Sequence, residues 1–283
     1  ILESCESVIT ELAKTNNVNR LMVGIGMPGL KSPEERGVII AKNGPRVPRF
    51  LDVLEHRLRL TGLKFNPIHR LGNDNDYCGL GELYGAHGSF RGVENAIYIG
   101  SGTGIADAMM LNGTLTSFDN IGTWMPKSWQ MTNKDEIPIE KIISHKGMMM
   151  QYSEKTGTSF QQLEEDEIYP EQFIGTNDAI NIRTKFVTTL AWLIFQRVEK
   201  LHIKKPNTIF NKIILGLRLA KLIEKIPELF DEIKLSINKQ IANSHLLNHT
   251  VKNHYSQNRI IFLSELPHAP IIGAGVSAYQ DAK

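Results

Sequence analysis

Three segments of the chain carry residues whose types and spacing could do chemistry. Gly100-Ser101-Gly102-Thr103-Gly104 follows a short apolar run. Glycines at a strand exit let backbone N–H groups approach an anion, and Thr103 adds a hydroxyl donor. The spacing is neither the P-loop G-x-x-x-x-G-K-[ST] nor the dinucleotide fingerprint G-x-G-x-x-G. Taken alone, the segment reads equally as a phosphate loop or as a tight turn between strands. Gly72-Asn73-Asp74-Asn75-Asp76 places a carboxylate just past a strand end and before a helix, where open α/β sheets bind ligands. Asp74 could take a proton from a substrate hydroxyl, or it could cap the helix, since Asn and Asp are common caps. Gly24-Ile25-Gly26-Met27-Pro28-Gly29 is a rigid turn after a buried strand.

Other chemistry-bearing residues have plainer readings. His245 and His249 form an i,i+4 pair that could hold a metal on a helix, with His254 nearby, but no third ligand stands at a tight spacing. Glu164-Glu165-Asp166-Glu167 reads as a solvated acidic loop, and Met148-Met149-Met150 as core filling. Lys204-Lys205-Pro206 reads as an exposed helix end followed by a breaker. The two cysteines, Cys5 and Cys78, cannot build a disulfide framework or a cysteine-rich zinc module.

The elements that must position these residues alternate between strand and helix. Residues 1–16 have helical periodicity, as do residues 50–60 and 78–85. Arg20–Gly26 reads as a buried strand and Asn66–Leu71 as a short one, while Asn95–Gly100 runs into the glycine segment. Asn112-Gly113 between apolar runs signals a hairpin. Residues 178–201 form a long buried helix, Asn211–Leu215 a strand reaching Gly216 with a helix from Leu217, and 228–242 another helix. Ile260–Leu263 is a strand, and a last helix opens at Ile271. The class is α/β with a mixed sheet.

The length of 283 residues corresponds to about two domains at roughly 150 residues each. Apolar residues make up 41% and charged residues 22%, an ordinary globular composition. The net charge of +2 excludes a polycationic nucleic-acid coat, though not a local basic patch. No apolar run is long enough to span a membrane, and Ile1–Glu6 shows neither the basic nor the apolar region of a signal peptide.

The order of the three segments is specific. Gly-Ile-Gly-x-Pro-Gly comes first, then Asn73-Asp74 with Leu80-Gly81-Glu82 downstream, then Gly-x-Gly-Thr-Gly-Ile with Leu111-Asn112-Gly113 soon after. The series resembles the ROK family of bacterial sugar kinases and sugar-responsive repressors, within the actin/hexokinase/Hsp70-like ATPase superfamily. The match is close over residues 20–115 and continues more weakly through Ile139–Ser144, the helix near Asp178, and Ile214-Leu215-Gly216.

The resemblance implies a two-lobed actin-like ATPase (ribonuclease H-like) α/β fold with mixed sheets and a ligand cleft between the lobes. The N-terminal lobe would comprise residues 1–70, without its first strands, joined by a last helix at 272–283; residues 71–271 would form the larger lobe. By the same resemblance, Asp74 is similar to the catalytic base that takes the proton of the attacking sugar hydroxyl. Asn73, Gly29 and Glu140 resemble substrate-binding residues. Gly102, Thr103 and Gly104 resemble the second phosphate loop, and Gly216 part of the adenosine pocket. ATP and Mg²⁺ are the implied cofactors, a small-molecule sugar the implied partner, and the cytoplasm the implied location. No membrane or nucleic-acid partner is expected, and homodimerisation is a family-level expectation.

The chain departs from the family pattern in several places. The Asp-x-Gly-x-Thr first phosphate loop is absent, as truncation would most simply explain; such a loop upstream of Ile1 would favour catalysis, and a winged helix there would favour regulation. The Glu-x-Gly-His sugar motif is missing; Trp124, Pro126, Lys127, Trp129 and Met131 stand in that interval. The Cys-x-Cys-Gly-x-x-Gly-Cys zinc loop is also missing, so no structural zinc is expected. The usual Gly-Gly of the adenosine motif is Gly216-Leu217 here. The two expected functions are ATP-dependent phosphorylation of a sugar or amino-sugar hydroxyl, and a catalytically degenerate, sugar-sensing role on the same fold.

Overall fold

A computed structural model describes residues 1–18, 20–40, 46–257 and 259–283. In chain order the elements begin with helix α1 (Leu2–Thr15), strands β1 (Arg20–Leu21), β2 (Leu30–Lys31) and β3 (Val38–Ile40), helix α2 (Phe50–Leu60), strand β4 (Lys64–Phe65) and helix α3 (Asp74–Tyr84). Strands β5 (Ala96–Ser101), β6 (Ile105–Leu111) and β7 (Thr114–Thr116) follow, then the short helices α4 (Phe118–Ile121), α5 (Glu140–Ile143), α6 (His145–Thr156), α7 (Phe160–Glu165) and α8 (Pro170–Phe173). Helix α9 (Ile180–Lys204), strand β8 (Lys212–Leu217), helices α10 (Arg218–Lys225), α11 (Pro227–Asn243) and α12 (His249–Gln257), strand β9 (Ile261–Leu263) and helix α13 (Ala269–Asp281) complete the order. Two compact units result: unit 1 is Ile1–Ala86 with His268–Lys283, and unit 2 is His87–Pro267.

Unit 2 is built on a five-stranded mixed sheet, in the order β7-β6-β5-β8-β9. β5 runs parallel to β8 and antiparallel to β6, and β8 runs parallel to β9. Every residue of β5 and β6 is buried, as expected of central strands covered on both faces. The β6–β7 turn forms because Asn112 and Gly113 both take positive φ, 51° and 73°, as a two-residue hairpin matched to strand twist requires. α9 buries Phe186, Leu190, Leu193, Ile194, Val198 and Leu201 in the same core as the sheet. α11 packs on α9 through Leu229, Ile233, Ile237 and Ile241, one helical face at four-residue spacing.

A buried ion pair fastens the segment between β7 and α5. Arg197 of α9 and Asp107 of β6 are both fully buried and lie 3.3 Å apart. Arg197 also donates to Ser128 Oγ at 2.8 Å and Pro126 O at 2.6 Å, while Asp107 accepts from the Ser128 N–H and Oγ at 2.6 Å each. Burial pushes the Arg197 guanidinium down and Asp107 opposes that shift.

Among the described residues unit 1 has only two-stranded sheets, β1 parallel to β4 and β2 antiparallel to β3. Its core comes from α2, through Phe50, Leu51, Leu54 and Leu58, with Val38, Ile68 and Leu71. α3 and α13 pack backbone against backbone: a Cβ on Gly81 would lie 2.0 Å from Ala269 O, and one on Gly273 1.9 Å from Tyr77 O. That contact explains a difference from the expected boundary. Unit 1 runs to Ala86 rather than residue 70 because α3 belongs with α13.

Several local expectations are corrected. The stretch Arg20–Gly26 forms a ladder only at Arg20–Leu21 and then a single bridge, Gly26 to Gly72. Asn66–Leu71 has no ladder; the strand lies just before it, at Lys64–Phe65. α12 begins at His249, so His245 is outside it and the two histidines do not share a helix face. The acidic run starts within α7 rather than in a loop. Met148 and Met149 are buried, but Met150 is exposed. Among the described residues no helix is long and apolar enough to cross a membrane.

Candidate functional site

In unit 1 the two glycine-bearing turns lie side by side. Gly26 and Gly72 form a parallel bridge. The Met27 N–H donates to Gly72 O at 3.1 Å, and the Gly72 N–H donates to Ile25 O at 3.0 Å. The Tyr77 ring covers both glycines; a Cβ on either would come within 2.7 Å of it. Side chains at positions 26 and 72 would therefore push Tyr77 away and separate the turns. Burial raises the Tyr77 hydroxyl pKa, with smaller opposing contributions from hydrogen bonding and Arg70.

Asn73 is the N-cap residue of α3 and Asp74 its first helical residue. The Asn73 side chain makes no capping hydrogen bond. Its Oδ1 instead accepts from Lys31 Nζ at 2.9 Å. Lys31 Nζ also donates to Met27 O at 2.5 Å and to Gly29 O at 3.0 Å. Gly29 has φ 109°, a conformation that only glycine takes without strain, and it turns the chain so that Lys31 reaches back to these carbonyls. The half-buried Asp74 carboxylate makes no hydrogen bond among the described residues, so it is not a capping side chain. The helix N-terminus favours its negative charge. Gly29, Asn73 and Asp74 are thus brought together, with Lys31 as the tie that sequence reasoning missed.

In unit 2 the Gly100–Gly104 segment leaves β5 and enters β6. Ser101 is buried; its Oγ donates to Ile143 O at 3.1 Å and accepts from the His145 N–H at 3.2 Å. The Gly102 N–H closes the turn on Gly104 O at 2.9 Å. The Thr103 N–H and hydroxyl and the Gly104 N–H make no hydrogen bond among the described residues. A Cβ on Gly102 would meet nothing within 4 Å. The exposed side of the loop therefore presents donors and open space, which is what an anion needs. Glu140 stands against the same loop: its Oε2 accepts from the Ile105 N–H at 3.4 Å and would lie 2.8 Å from a Cβ on Gly104. Gly216 pairs with Gly100 across β5–β8, and a Cβ there would lie 2.2 Å from the Tyr98 hydroxyl, so packing already requires glycine at this position. Leu217 has φ 59° and ψ −137°, a conformation suited to the glycine that the family pattern has there.

A second cluster borders this loop. His145, the first residue of α6, places Nε2 3.3 Å from Glu171 Oε2, and its ring lies 3.2 Å from Arg218 Nη1. The Arg218 guanidinium also sits over the Tyr169 ring, 5.6 Å from its centroid. Burial pushes the Glu171 carboxyl up, but hydrogen bonds from His145 and its own backbone N–H, with the His145 and Arg218 charges, outweigh this, and its pKa falls below the ordinary value. The sequence motif Ile139–Ser144 stops one residue short of His145. His254 Nε2 lies 3.0 Å from Phe210 O. Among the described residues no group of three His, Cys, Asp or Glu could hold a metal ion.

No family model matches the sequence, and no curated protein matches it. Solved structures match the fold. A ROK family glucokinase from Streptomyces griseus, in complex with glucose and AMPPNP, has a TM-score of 0.66 at 16% identity, over 98% of this chain and 88% of its own. The ROK hexokinase from Thermus thermophilus has a TM-score of 0.62 at 14% identity, over 99% and 86%. A ROK family transcriptional regulator, a homologue of the E. coli MLC protein, has a TM-score of 0.65 at 16% identity, over 99% of this chain and 69% of its own. The chain has the mixed α/β, actin-like ATPase fold found in ROK sugar kinases and in a ROK regulator.

Proposed function

We propose that the chain transfers the γ-phosphoryl group of ATP to a hydroxyl of a sugar or amino sugar. The observation that carries this reading is Asp74. Its carboxylate begins a helix, caps nothing and bonds to no described residue, yet its backbone is held by paired turns. In the proposed step Asp74 takes the proton of the sugar hydroxyl. That oxygen forms a bond to the γ-phosphorus, the bond to the β–γ bridging oxygen breaks, and ADP leaves. Asn73 and Glu140 bind sugar hydroxyls, with the Gly29 turn shaping the sugar side. Thr103 and Gly104 offer N–H and O–H donors to phosphate, and the strand pair at Gly216 borders the adenosine. The donor set of the loop fits a polyphosphate. Mg²⁺ would neutralise phosphate charge and would enter largely held by the phosphates, as it usually is when protein carboxylates are few.

Asp74→Asn tests the assignment. It keeps side-chain shape and removes the basic oxygen. We expect kcat to fall by about 10²–10⁴, with sugar affinity and melting temperature held. Unchanged turnover on a sugar that the parent phosphorylates would reject Asp74 as the base. A second reading, a sugar sensor without turnover, is supported by the replacement of the Glu-x-Gly-His interval with the Arg197-fastened segment around Trp124–Met131. Sugar binding by calorimetry with no ADP released from any sugar tested would favour it.

A further inference from the structure

We propose that Lys31 is a positioning residue that sets the polarity of the Asn73 side chain and thereby makes the position beside Asp74 a donor toward substrate. The inference rests on the kinase reading for its consequence, though not for its geometry. An ammonium group has three donors and no acceptor. Lys31 meets three acceptors, Met27 O, Gly29 O and Asn73 Oδ1. An asparagine amide has one oxygen and one NH₂ group, and only the oxygen can face an ammonium. The amide is therefore not free to flip, and Nδ2, which bonds to no described residue, is the group left for a ligand.

Two neighbouring positions then have opposite character. Asp74, when ionised, accepts only; Asn73, with Oδ1 taken, donates only. A polyol matches this pair through one hydroxyl that donates to Asp74 and a neighbouring oxygen that accepts from Asn73 Nδ2. Without Lys31 the Asn73 amide could present either end, and half of its orientations would oppose an acceptor oxygen. The sequence separation of Lys31 and Asn73, 42 residues, hides the pairing from any local motif.

The full chain is tested with Lys31→Met, Lys31→Arg, Asn73→Ala and the Lys31→Met/Asn73→Ala double variant. The substrate is the sugar that the parent phosphorylates best among glucose, mannose, N-acetylglucosamine and N-acetylmannosamine. Lys31→Met should raise the sugar KM about tenfold with kcat little changed, the size of one lost hydrogen bond. Lys31→Arg, which keeps charged donors, should recover most of the loss. In the double variant KM should be no higher than in Asn73→Ala alone, because Lys31 acts through Asn73. Additive effects would overturn the proposal, since Lys31 would then act on the turn independently. The second readout needs no turnover: the Asn73 side-chain NH₂ signals in unliganded, ¹⁵N-asparagine-labelled protein, identified by their loss in Asn73→Ala. Lys31→Met, or Lys31→Gln if the Met variant does not fold, should shift them and raise their mobility. Unchanged signals would overturn the proposal even in an active kinase. Mobile signals in a protein that phosphorylates none of the four sugars would support the amide lock and count against the kinase reading instead.

Discussion

In unit 2 the Gly102–Gly104 loop hangs from two long paired strands, with Ser101 opposite both Ile105 and Leu217. In unit 1 Asn73 and Asp74 hang from one bridge between glycines, a tyrosine ring and a lysine. The first arrangement is set by register over six residues of ladder, so any one side chain matters less to it. The second depends on single atoms: one added carbon at Gly26 or Gly72 would meet Tyr77. The phosphate side of the proposed chemistry should therefore tolerate substitution around it, except at Gly100 and Gly216, where an added carbon would meet Tyr98, and the Asp74 side should not.

The largest expected effect tests the robustness of unit 2 where it is most exposed to failure, at its buried charges. Arg197→Met leaves the fully buried Asp107 without its cation. Breaking one partner of a buried pair costs about 3–5 kcal/mol, read as a lowered denaturant midpoint. A cost under 1 kcal/mol would mean that Asp107 is sufficiently held by the Ser128 N–H and hydroxyl. The unit 1 counterpart is the half-exposed Arg70–Asp281 pair at 3.1 Å, where Arg70→Met should cost about 0–1 kcal/mol.

The next effect tests how tightly unit 1 is built. Gly81→Ala adds a carbon 2.0 Å from a backbone oxygen of α13, and backbone cannot rotate aside. Overpacking of this kind costs about 1–3 kcal/mol, against a helix-propensity gain of about 1 kcal/mol. Gly275→Ala on α13 meets nothing within 4 Å, so it should keep the propensity gain and raise the melting temperature. If both substitutions stabilised, the α3–α13 contact would be looser than described, and Tyr77 would hold the turns alone.

The same difference governs what could be read from the sequence. β5 and β8 were legible because short apolar runs end in glycine, α9 because its apolar residues recur at helical spacing over 25 residues, and the Asn112-Gly113 hairpin because both residues favour positive φ. Around Gly24 and Gly26 the apolar run suggested a longer strand than exists. Those glycines serve a helix and a tyrosine ring rather than a ladder. α4, α5, α7 and α8 span too few turns for periodicity to show, while α6, though 12 residues long, buries only His145, Gly147, Met148 and Met149 near its start, so no apolar stripe runs along it. Asp74 was legible as a residue, but whether it capped α3 depended on where Asn73 pointed, which Lys31 decides from 42 residues away. His145, Glu171 and Arg218 meet only through the fold, from separations of 26 and 73 residues.

The smallest effect asks which unit weakens first in acid. Each has a carboxylate whose pKa is lowered on folding. In unit 2 it is Glu171, from an ordinary 4.5, where the His145 hydrogen bond and nearby charges outweigh burial. In unit 1 it is Asp52, from an ordinary 3.8, held chiefly by the Arg36 hydrogen bond and then by Arg49. A lowered folded-state pKa contributes stability that is complete above the unfolded value and is lost as pH falls through the folded one. Glu171 therefore begins to lose its contribution near pH 4.5 and Asp52 only near 3.8. Denaturant midpoints measured from pH 6 to pH 3 should fall less steeply in Glu171→Gln from the first step below about 5, since the proton-linked part is gone. Asp52→Asn should follow the parent through that range and diverge only lower, and by little, because its carboxylate is one-third exposed and solvent screens it. If Glu171→Gln kept the parent's full slope, the His145–Glu171–Arg218 cluster would not be coupled to folding. The early acid loss would then have to come from another group of the chain.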